Sequence, residues 1–317
     1  MPGQTLLGKA FEYACLMSIY NALRDRKNVL IEITEPYITA RDFYNNTPDG
    51  NKVKMDLAAS AAVRSIINLE PQLQTTSEIC PLHLSIQEDA RGIAGDVRDI
   101  ICLKRGPDWE MGISCKHNHS AVKHSRLSAT IDFGQEWLGI PCTKHYFDVI
   151  NPLFDELRQL RLLGQNWKDV VNKDTRFYKP LLEAFIEELK YLDRQHHEQV
   201  PHALVNYLLG RNDFYKVITD DSRRQTKIQA YNIYGTLNKA AGQLRPQTRV
   251  SQLTLPNRIN DARFKDNSTN TIIIDCDNGW SISMRIHSAS TAVEASLKFD
   301  VKLIGIPTNL YSHDEAW

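Results

Sequence analysis

Residues 97–116 read VRDIICLKRGPDWEMGISCK, two β-rich runs on either side of a Gly-Pro pair. Gly and Pro together are a strong turn signal, so the stretch predicts a β-hairpin with strands at 97–104 and 109–116. A turn centred between Gly106 and Pro107 sets the register of the two strands. The hairpin is therefore the feature from which the rest of the fold can be argued.

The predicted register places Asp99 opposite Ser114, with Lys116 on the same face because side chains alternate along a strand. Directly opposed Cβ atoms lie about 5 Å apart. A carboxylate, a hydroxyl and an ammonium then surround one space, and Gly112 on that face leaves room for something to approach. The alternative is a structural ion pair between Asp99 and Lys116.

Such a space suits a hard cation such as Mg²⁺, which prefers oxygen ligands and often binds one or two carboxylates. A lysine beside it can stabilise an attacking hydroxide or the charge that develops on a phosphate. A second acid is needed, and Glu12 is preferred because it follows Phe11 on the border of the apolar face of a predicted helix at 6–25. Glu88 is the next candidate, and a solvated Glu12 is the alternative. Asp96 competes with Asp99 for the first-acid role, but the two acids fall on opposite faces.

The other periodic segments predict an α/β fold with a mixed sheet, a helical insertion and a C-terminal β-rich portion. Helices are expected at 54–69 and over most of 147–220. Strands are expected at 28–34, 227–234, 271–275, 280–286 and 297–304. We expect a core that carries the hairpin at 1–146, a helical insertion at 147–220, and a basic segment with the β-rich portion at 221–317, packed on the core as one body.

Composition narrows the class of protein. The 317 residues are 42% hydrophobic and 24% charged, which excludes a disordered or collagen-like chain. No stretch approaches the ~18 apolar residues of a membrane span, and the N-terminus lacks the basic region and cleavage site of a signal peptide. The six cysteines form no CxxC pair, which favours reduced thiols and a cytoplasmic location.

Charge is segregated although the net charge is zero. Residues 222–260 contain no acid and seven basic residues, and residues 111–131 form a second acid-free window. Two such windows favour a polyanion partner over a pair of solvated basic faces. We read 120–128 as a helix that follows the Lys116 strand and brings its basic residues beside the scissile phosphate. The candidate DNA-binding residues, most of which would position the DNA and not read bases, are Lys123, Arg126, Arg223, Arg224, Arg245, Arg249 and Arg258.

The residues at this predicted site resemble a known nuclease superfamily. Asp99 followed by Ser114-Cys-Lys116 resembles the Asp…(Asp/Glu)-x-Lys core of PD-(D/E)xK nucleases, with serine where the acid usually stands. Gly8-Lys-Ala-Phe-Glu12 is similar to their upstream helical glutamate motif. More narrowly, the segments GDVRDI at 95–100, GISCKHNH at 112–119 and SLKFD at 296–300 resemble the HaeIII-type type II restriction endonucleases.

The resemblance implies a PD-(D/E)xK-type mixed central sheet flanked by helices. It also implies Mg²⁺-dependent cleavage of double-stranded DNA at a short GC-rich palindrome, GGCC for the namesake enzyme. Asp99 and Glu12 would hold the metal, Ser114 would assist, and Lys116 would stabilise the attacking hydroxide. A palindromic target favours a two-fold dimer, and a cognate DNA methyltransferase would act on the same site without having to bind this chain.

Two other functions stay open. One keeps the fold but not the specificity, a repair or structure-selective nuclease, and the other is a DNA-binding protein that is catalytically inactive because of the serine at position 114. The identity of the second metal ligand, the number of metal ions and the cut position are not determined by the residues.

Overall fold

The structure is a computed structural model that describes residues 4–76, 80–88, 95–106, 108–123, 125–288 and 290–317. It contains two compact units, each built from separate stretches of the chain. The first, here called the hairpin unit, comprises Met1–Ser120, Gly210–Leu253 and Asn309–Trp317, and the second unit comprises Ala121–Leu209 and Thr254–Thr308. The expected three-block organisation along the chain stays a prediction.

Helices and strands alternate irregularly along the chain, and both are numbered here in chain order. The helices are α1 (Gln4–Leu23), α2 (Glu35–Asn45), α3 (Asp49–Leu69), α4 (Pro71–Gln74), α5 (Lys144–Leu162), α6 (Lys179–Gln195) and α7 (Gln199–Leu209). The strands are β1 (Val29–Ile31), β2 (Leu82–Ile86), β3 (Ile100–Lys104), β4 (Trp109–His117), β5 (Arg126–Leu127), β6 (Phe214–Asp220), β7 (Gln225–Tyr231), β8 (Ile259–Phe264), β9 (Thr271–Cys276), β10 (Ser281–His287), β11 (Leu297–Gly305) and β12 (Tyr311–Ala316).

The hairpin unit is organised around a seven-stranded mixed sheet in the order β1-β2-β3-β4-β6-β7-β12. The pairs β1–β2 and β4–β6 are parallel and the other neighbours are antiparallel. Helices α1, α2 and α3 contribute to a common core with the strands, in which Phe11, Met111, Ile113 and Val217 are almost completely buried. This arrangement is the mixed sheet with flanking helices that the resemblance implied.

The second unit contains a five-stranded antiparallel sheet in the order β5-β11-β10-β9-β8, together with α5, α6 and α7. Strands β9, β10 and β11 coincide closely with the runs predicted at 271–275, 280–286 and 297–304. The predicted C-terminal β-rich portion is therefore confirmed. Within the described ranges, no helix has both the length and the apolar character needed to cross a membrane.

Two local predictions are wrong. The segment 120–128 is not helical where it is described, because Lys123 forms a bridge with Val301 and β5 pairs with the first residues of β11, so strand pairing overrides the local helical pattern. The last part of the expected helical region is strand β6, which pairs on both sides within the sheet of the hairpin unit.

Candidate active site

The hairpin has the register that its turn predicts. Ile100 pairs with Ile113, and the ladder continues without a slip to Lys104, which pairs with Trp109. Pro107, the second residue of the expected turn, lies outside the described residues. The strand β3 begins at Ile100, three residues later than predicted, so that the acid before it lies at the end of the ladder and not inside it.

Asp99 leaves the regular ladder at this point. Its backbone N–H donates to the carbonyl of Ile113 at 2.8 Å, and its own carbonyl accepts from the N–H of Gln87 at 2.9 Å. The backbone of Asp99 is thus held by both neighbouring strand segments. Its carboxylate is free to turn towards the end of β4.

The carboxylate of Asp99 meets three donors from β4. Its Oδ2 accepts from the Cys115 N–H at 2.6 Å, from Ser114 Oγ at 3.2 Å and from Lys116 Nζ at 3.2 Å. The structure therefore brings Asp99, Ser114 and Lys116 together, as the register and the alternation of side chains require. A backbone N–H and an ammonium on one carboxylate oxygen are charge-assisted interactions that fix its orientation.

Lys116 stays charged although it is mostly buried. Burial lowers its pKa, but the nearby carboxylates of Asp99 and Glu12 raise it more, so the net pKa lies above the usual value for lysine. At neutral pH the Lys116 side chain is an ammonium. It can donate hydrogen bonds and neutralise negative charge, but it cannot accept a proton.

Glu12 belongs to the same site. Its neighbour Phe11 is fully buried and contacts the ring of His117 at 6.0 Å between centroids, which anchors α1 beside the end of β4. Glu12 is only 6% exposed, so the solvated alternative is wrong. Burial and the charge of Asp99 raise its pKa to about 8, although Lys9, whose Nζ lies 3.1 Å from Glu12 Oε2, and Lys116 act in the opposite direction.

This donor set fits a divalent cation. Two carboxylates, those of Glu12 and Asp99, influence one another in a poorly solvated space, and a cation between them would relieve the repulsion that raises the pKa of Glu12. Within the described parts of the chain, no group of three or more His, Cys, Asp and Glu side chains is placed to hold a metal. Water and a DNA phosphate would have to complete the shell, as is usual for Mg²⁺.

The rival acids point elsewhere. Asp96 accepts from Arg98 Nε at 2.7 Å and from Gln87 Nε2 at 3.1 Å. Its charge is therefore used in an ion pair with Arg98, outside the site. Glu88 is exposed. Asp99, and not Asp96, is therefore the acid that faces Lys116, and the geometry favours Glu12 over Glu88 as its partner.

A buried lysine that the sequence does not predict lies beside Ser114 in the sheet. Lys216 on β6 is paired in register with Ser114, is 2% exposed, and donates from Nζ to the carbonyl of Ser120 at 2.8 Å. Burial, assisted by the charge of Lys116 and opposed by Asp99, lowers its pKa to about 7. The available signal was a lysine in the middle of the apolar run Phe214-Tyr-Lys-Val217.

Replacing Lys216 with methionine is expected to stabilise the protein most below about pH 7, where the buried lysine is charged. Above this pH the folded wild type loses the proton that the unfolded chain still binds up to a pKa of about 10.4. As the pH rises, the free energy of unfolding of the wild type therefore increases relative to that of the variant, by up to ~1.36 kcal/mol per pH unit. Urea unfolding of both proteins at about pH 6.5 and about pH 9 measures the difference between their free energies of unfolding. A stability advantage of the variant that does not become smaller as the pH rises would contradict the prediction.

The candidate DNA-binding residues lie in both units. Arg223 and Arg224 are exposed at the β6–β7 turn, and Arg245 and Arg249 are exposed in the segment after β7, all in the hairpin unit. The others, Lys123, Arg126 and Arg258, lie in the second unit.

Within the second unit, all three of these residues have partners, and Arg258 Nε donates to Asn260 Oδ1 at 3.0 Å. Lys123 Nζ lies 3.5 Å from the centre of the Tyr207 ring and donates to the carbonyl of Tyr207, and Arg126 donates to Ser296 Oγ at 3.2 Å. Their expected place beside the scissile phosphate stays a prediction.

Comparison with known proteins gives one consistent result. Residues 8–307 match the model of the HaeIII restriction endonuclease family. The chain is 39% identical over 310 residues to the type II restriction enzyme HaeIII of Haemophilus aegyptius, an alignment that covers 98% of this chain and 97% of that protein. No solved structure matches the chain.

Proposed function

This chain belongs to the HaeIII restriction endonuclease family, and we propose that it hydrolyses phosphodiester bonds of double-stranded DNA at GGCC with Mg²⁺ and an activated water. The observation that carries the proposal is the convergence of Asp99, Lys116 and Glu12 at one end of β4. Two carboxylates can bind a divalent cation, and a charged lysine can stabilise the negative charge that develops in metal-assisted phosphodiester hydrolysis.

Asp99 and Glu12 would hold the metal. When bound, Mg²⁺ supplies positive charge that lowers the pKa of a water and neutralises charge developing on the phosphate. Asp99 is already oriented for this role, because three donors from β4 converge on its Oδ2 while its Oδ1 makes no hydrogen bond in the described part of the chain. Glu12 would give up its proton as the cation arrives, since opposite charge lowers a carboxyl pKa.

Lys116 acts as a fixed cation. Its raised pKa means that Nζ keeps its proton at neutral pH, so it would orient and stabilise the attacking hydroxide and a non-bridging phosphate oxygen by donating hydrogen bonds. The ion pair holds the ammonium beside Asp99, the carboxylate that would bind the metal. This pre-organisation avoids reorganisation during the reaction.

Ser114 occupies the position of the usual acid and contributes a hydroxyl. Its Oγ donates to Asp99, so it helps to orient the first ligand. Ser114 is 2% exposed and lies in register with the buried Lys216. A lysine there cannot supply the negative charge of the missing acid. Glu12 on α1 supplies the second carboxylate, which is why the serine does not imply an inactive site.

Digestion of a plasmid of known sequence, with and without Mg²⁺, tests the proposal. We expect discrete fragments in the presence of Mg²⁺, with sequenced ends that all lie within GGCC. A smear would indicate a structure-selective or repair nuclease of this fold. Salt-dependent binding of DNA without any cleavage would indicate an inactive DNA-binding protein, and either result would reject the proposal.

A second prediction identifies the second metal ligand by a matched pair of substitutions. Glu12→Gln keeps the shape of the side chain but removes the charge, so we expect the cleavage rate to fall about 10²-fold and the Mg²⁺ concentration for half-maximal rate to rise. Glu88→Gln makes the same change at an exposed residue and is expected to cleave like wild type. Initial rates on a GGCC duplex across a Mg²⁺ titration measure both. The reverse order of the two effects would make Glu88 the ligand.

We also propose that a palindromic site is cut by two copies of this chain related by a two-fold axis. Each copy would present one site to one strand. A DNA methyltransferase that modifies the same sequence would protect the host DNA in the cytoplasm without contacting this protein.

A further inference from the structure

Arg98 immediately precedes Asp99 and is 8% exposed. Its guanidinium forms a fork on one carboxylate, with Nε 2.7 Å from Asp96 Oδ1 and Nη2 2.7 Å from Asp96 Oδ2. The third nitrogen, Nη1, contacts Glu110 on the neighbouring strand β4. A bidentate arginine with low exposure is held in one orientation, because the planar fork allows only one geometry.

Gly112 on β4 accommodates this side chain. A Cβ at position 112 would lie 2.6 Å from Arg98 Cγ and closer still to Arg98 Cδ, a distance that real Cβ atoms do not adopt. The backbone of Gly112 is an ordinary strand backbone, so glycine is required for space and not for conformation. The room that Gly112 leaves on this face is therefore filled by Arg98.

The backbone around Arg98 is fixed as well. Gln87 Nε2 donates to the carbonyl of Arg98 at 3.2 Å, and the N–H of Arg98 donates to Asp96 Oδ1 at 3.2 Å. The next N–H, that of Asp99, is held by Ile113. The chain just before the catalytic acid is thus fastened to β4 by the Arg98 side chain and to the end of β2 by Gln87.

We propose that Arg98, which packs against Gly112 and pairs with Asp96 and Glu110, is a positioning residue. It fixes the direction in which the Asp99 side chain points into the site. Arg98 acts through Asp99 and does not touch the reacting atoms. The inference rests on the proposed function, since it takes Asp99 to be a metal ligand. Groups that orient a ligand typically change metal affinity or activity about 10- to 100-fold when they are removed.

The first test compares Arg98→Ala with Arg105→Ala, a substitution of an exposed arginine in the turn of the same hairpin. For Arg98→Ala we expect a cleavage rate on a GGCC duplex that is lower by about 10- to 100-fold, and a weaker affinity for Mg²⁺ measured by calorimetry on the free protein. Binding of the same duplex without Mg²⁺ should stay as in wild type. Arg105→Ala should match wild type in all three measurements.

Arg98→Lys is a second variant for the case that Arg98→Ala does not fold. Circular dichroism and the thermal midpoint would report a loss of folding in Arg98→Ala. Lysine keeps the charge and most of the apolar stem but loses the planar fork. We expect a rate and a Mg²⁺ affinity between those of wild type and Arg98→Ala. If Arg98→Lys equals Arg105→Ala in both, the inference is overturned.

A double-mutant cycle of Gly112→Ala and Arg98→Ala tests whether packing against Gly112 holds the Arg98 side chain in place. In the wild-type background the added methyl displaces Arg98, so the rate should fall about as far as in Arg98→Ala. In the Arg98→Ala background only the Cβ of residue 98 stays near the methyl, at 3.0 Å, a tight contact that a small shift relieves, so we expect little further loss. Equal losses in both backgrounds would mean that Gly112 serves another purpose, such as approach of the DNA, and would overturn the inference.

The two proposals fail in distinguishable ways. If the wild-type protein does not cut GGCC duplexes with Mg²⁺, the proposed function is rejected. If the wild type cuts and Arg98→Ala cuts and binds Mg²⁺ as well as Arg105→Ala, the function stands and only the positioning role of Arg98 is rejected.

Discussion

Replacing Lys116 with alanine is expected to lower the rate of DNA cleavage about 10²- to 10³-fold, the loss that follows removal of one pre-organised donor at the developing charge. The ammonium is held 3.2 Å from Asp99 Oδ2, and its raised pKa keeps it charged at neutral pH. Affinity for the duplex without Mg²⁺ should change little, because one charge among many basic residues contributes only a small part of phosphate binding. Single-turnover rates on a GGCC duplex measure the effect.

Lys168→Ala is the control for Lys116→Ala, because it removes an exposed lysine and changes the net charge equally. We expect Lys168→Ala to cleave at the wild-type rate. Circular dichroism should show that both variants are folded. Wild-type cleavage by a folded Lys116→Ala protein would remove Lys116 from the mechanism.

Asp99→Asn is expected to produce a loss at least as large, about 10³-fold, because the substitution removes the proposed metal ligand and the partner of Lys116 together. An amide oxygen can still accept from the Cys115 N–H, so the local fold should survive. The pKa of Glu12 should fall, since the charge of Asp99 is one of the causes that raise it. Mg²⁺ affinity should weaken in step with the rate.

The control for Asp99→Asn is Asp108→Asn, the same change at an exposed acid in the hairpin turn. It is expected to leave both the rate and the Mg²⁺ affinity unchanged. An Asp99→Asn protein that binds Mg²⁺ as tightly as the Asp108→Asn control would show that Asp99 is not a ligand.

The part of the site that lies on the hairpin could be predicted because it depends on local rules. A Gly-Pro turn and the alternation of side chains along a strand fix the pairing of β3 with β4, and the observed pairs from Ile100 to Lys104 follow it. Those rules bring Ser114 and Lys116 to the face of Asp99 without any knowledge of the rest of the chain. The apolar spacing of α1 likewise placed Glu12 beside Phe11, at the border of the buried face.

The contributions of distant segments could not be predicted in this way. Lys216 lies in register with Ser114 because β6 pairs with β4, and the two strands are about a hundred residues apart in the chain. Arg98 and Gly112 each look ordinary alone, and only the packed structure shows that one fills the space of the other. The helix predicted at 120–128 is absent for the same reason, since the conformation of this segment depends on pairing with β11.

We expect Asp99 and Lys116 to act as one unit on one phosphate. A double-mutant cycle of Asp99→Asn and Lys116→Ala, read as single-turnover cleavage of one GGCC duplex with saturating Mg²⁺, tests it most directly. Residues that act as a unit show strongly non-additive losses, so the double variant should be about as slow as the slower single variant. Losses that multiply would show that the two side chains act independently and would contradict the claim.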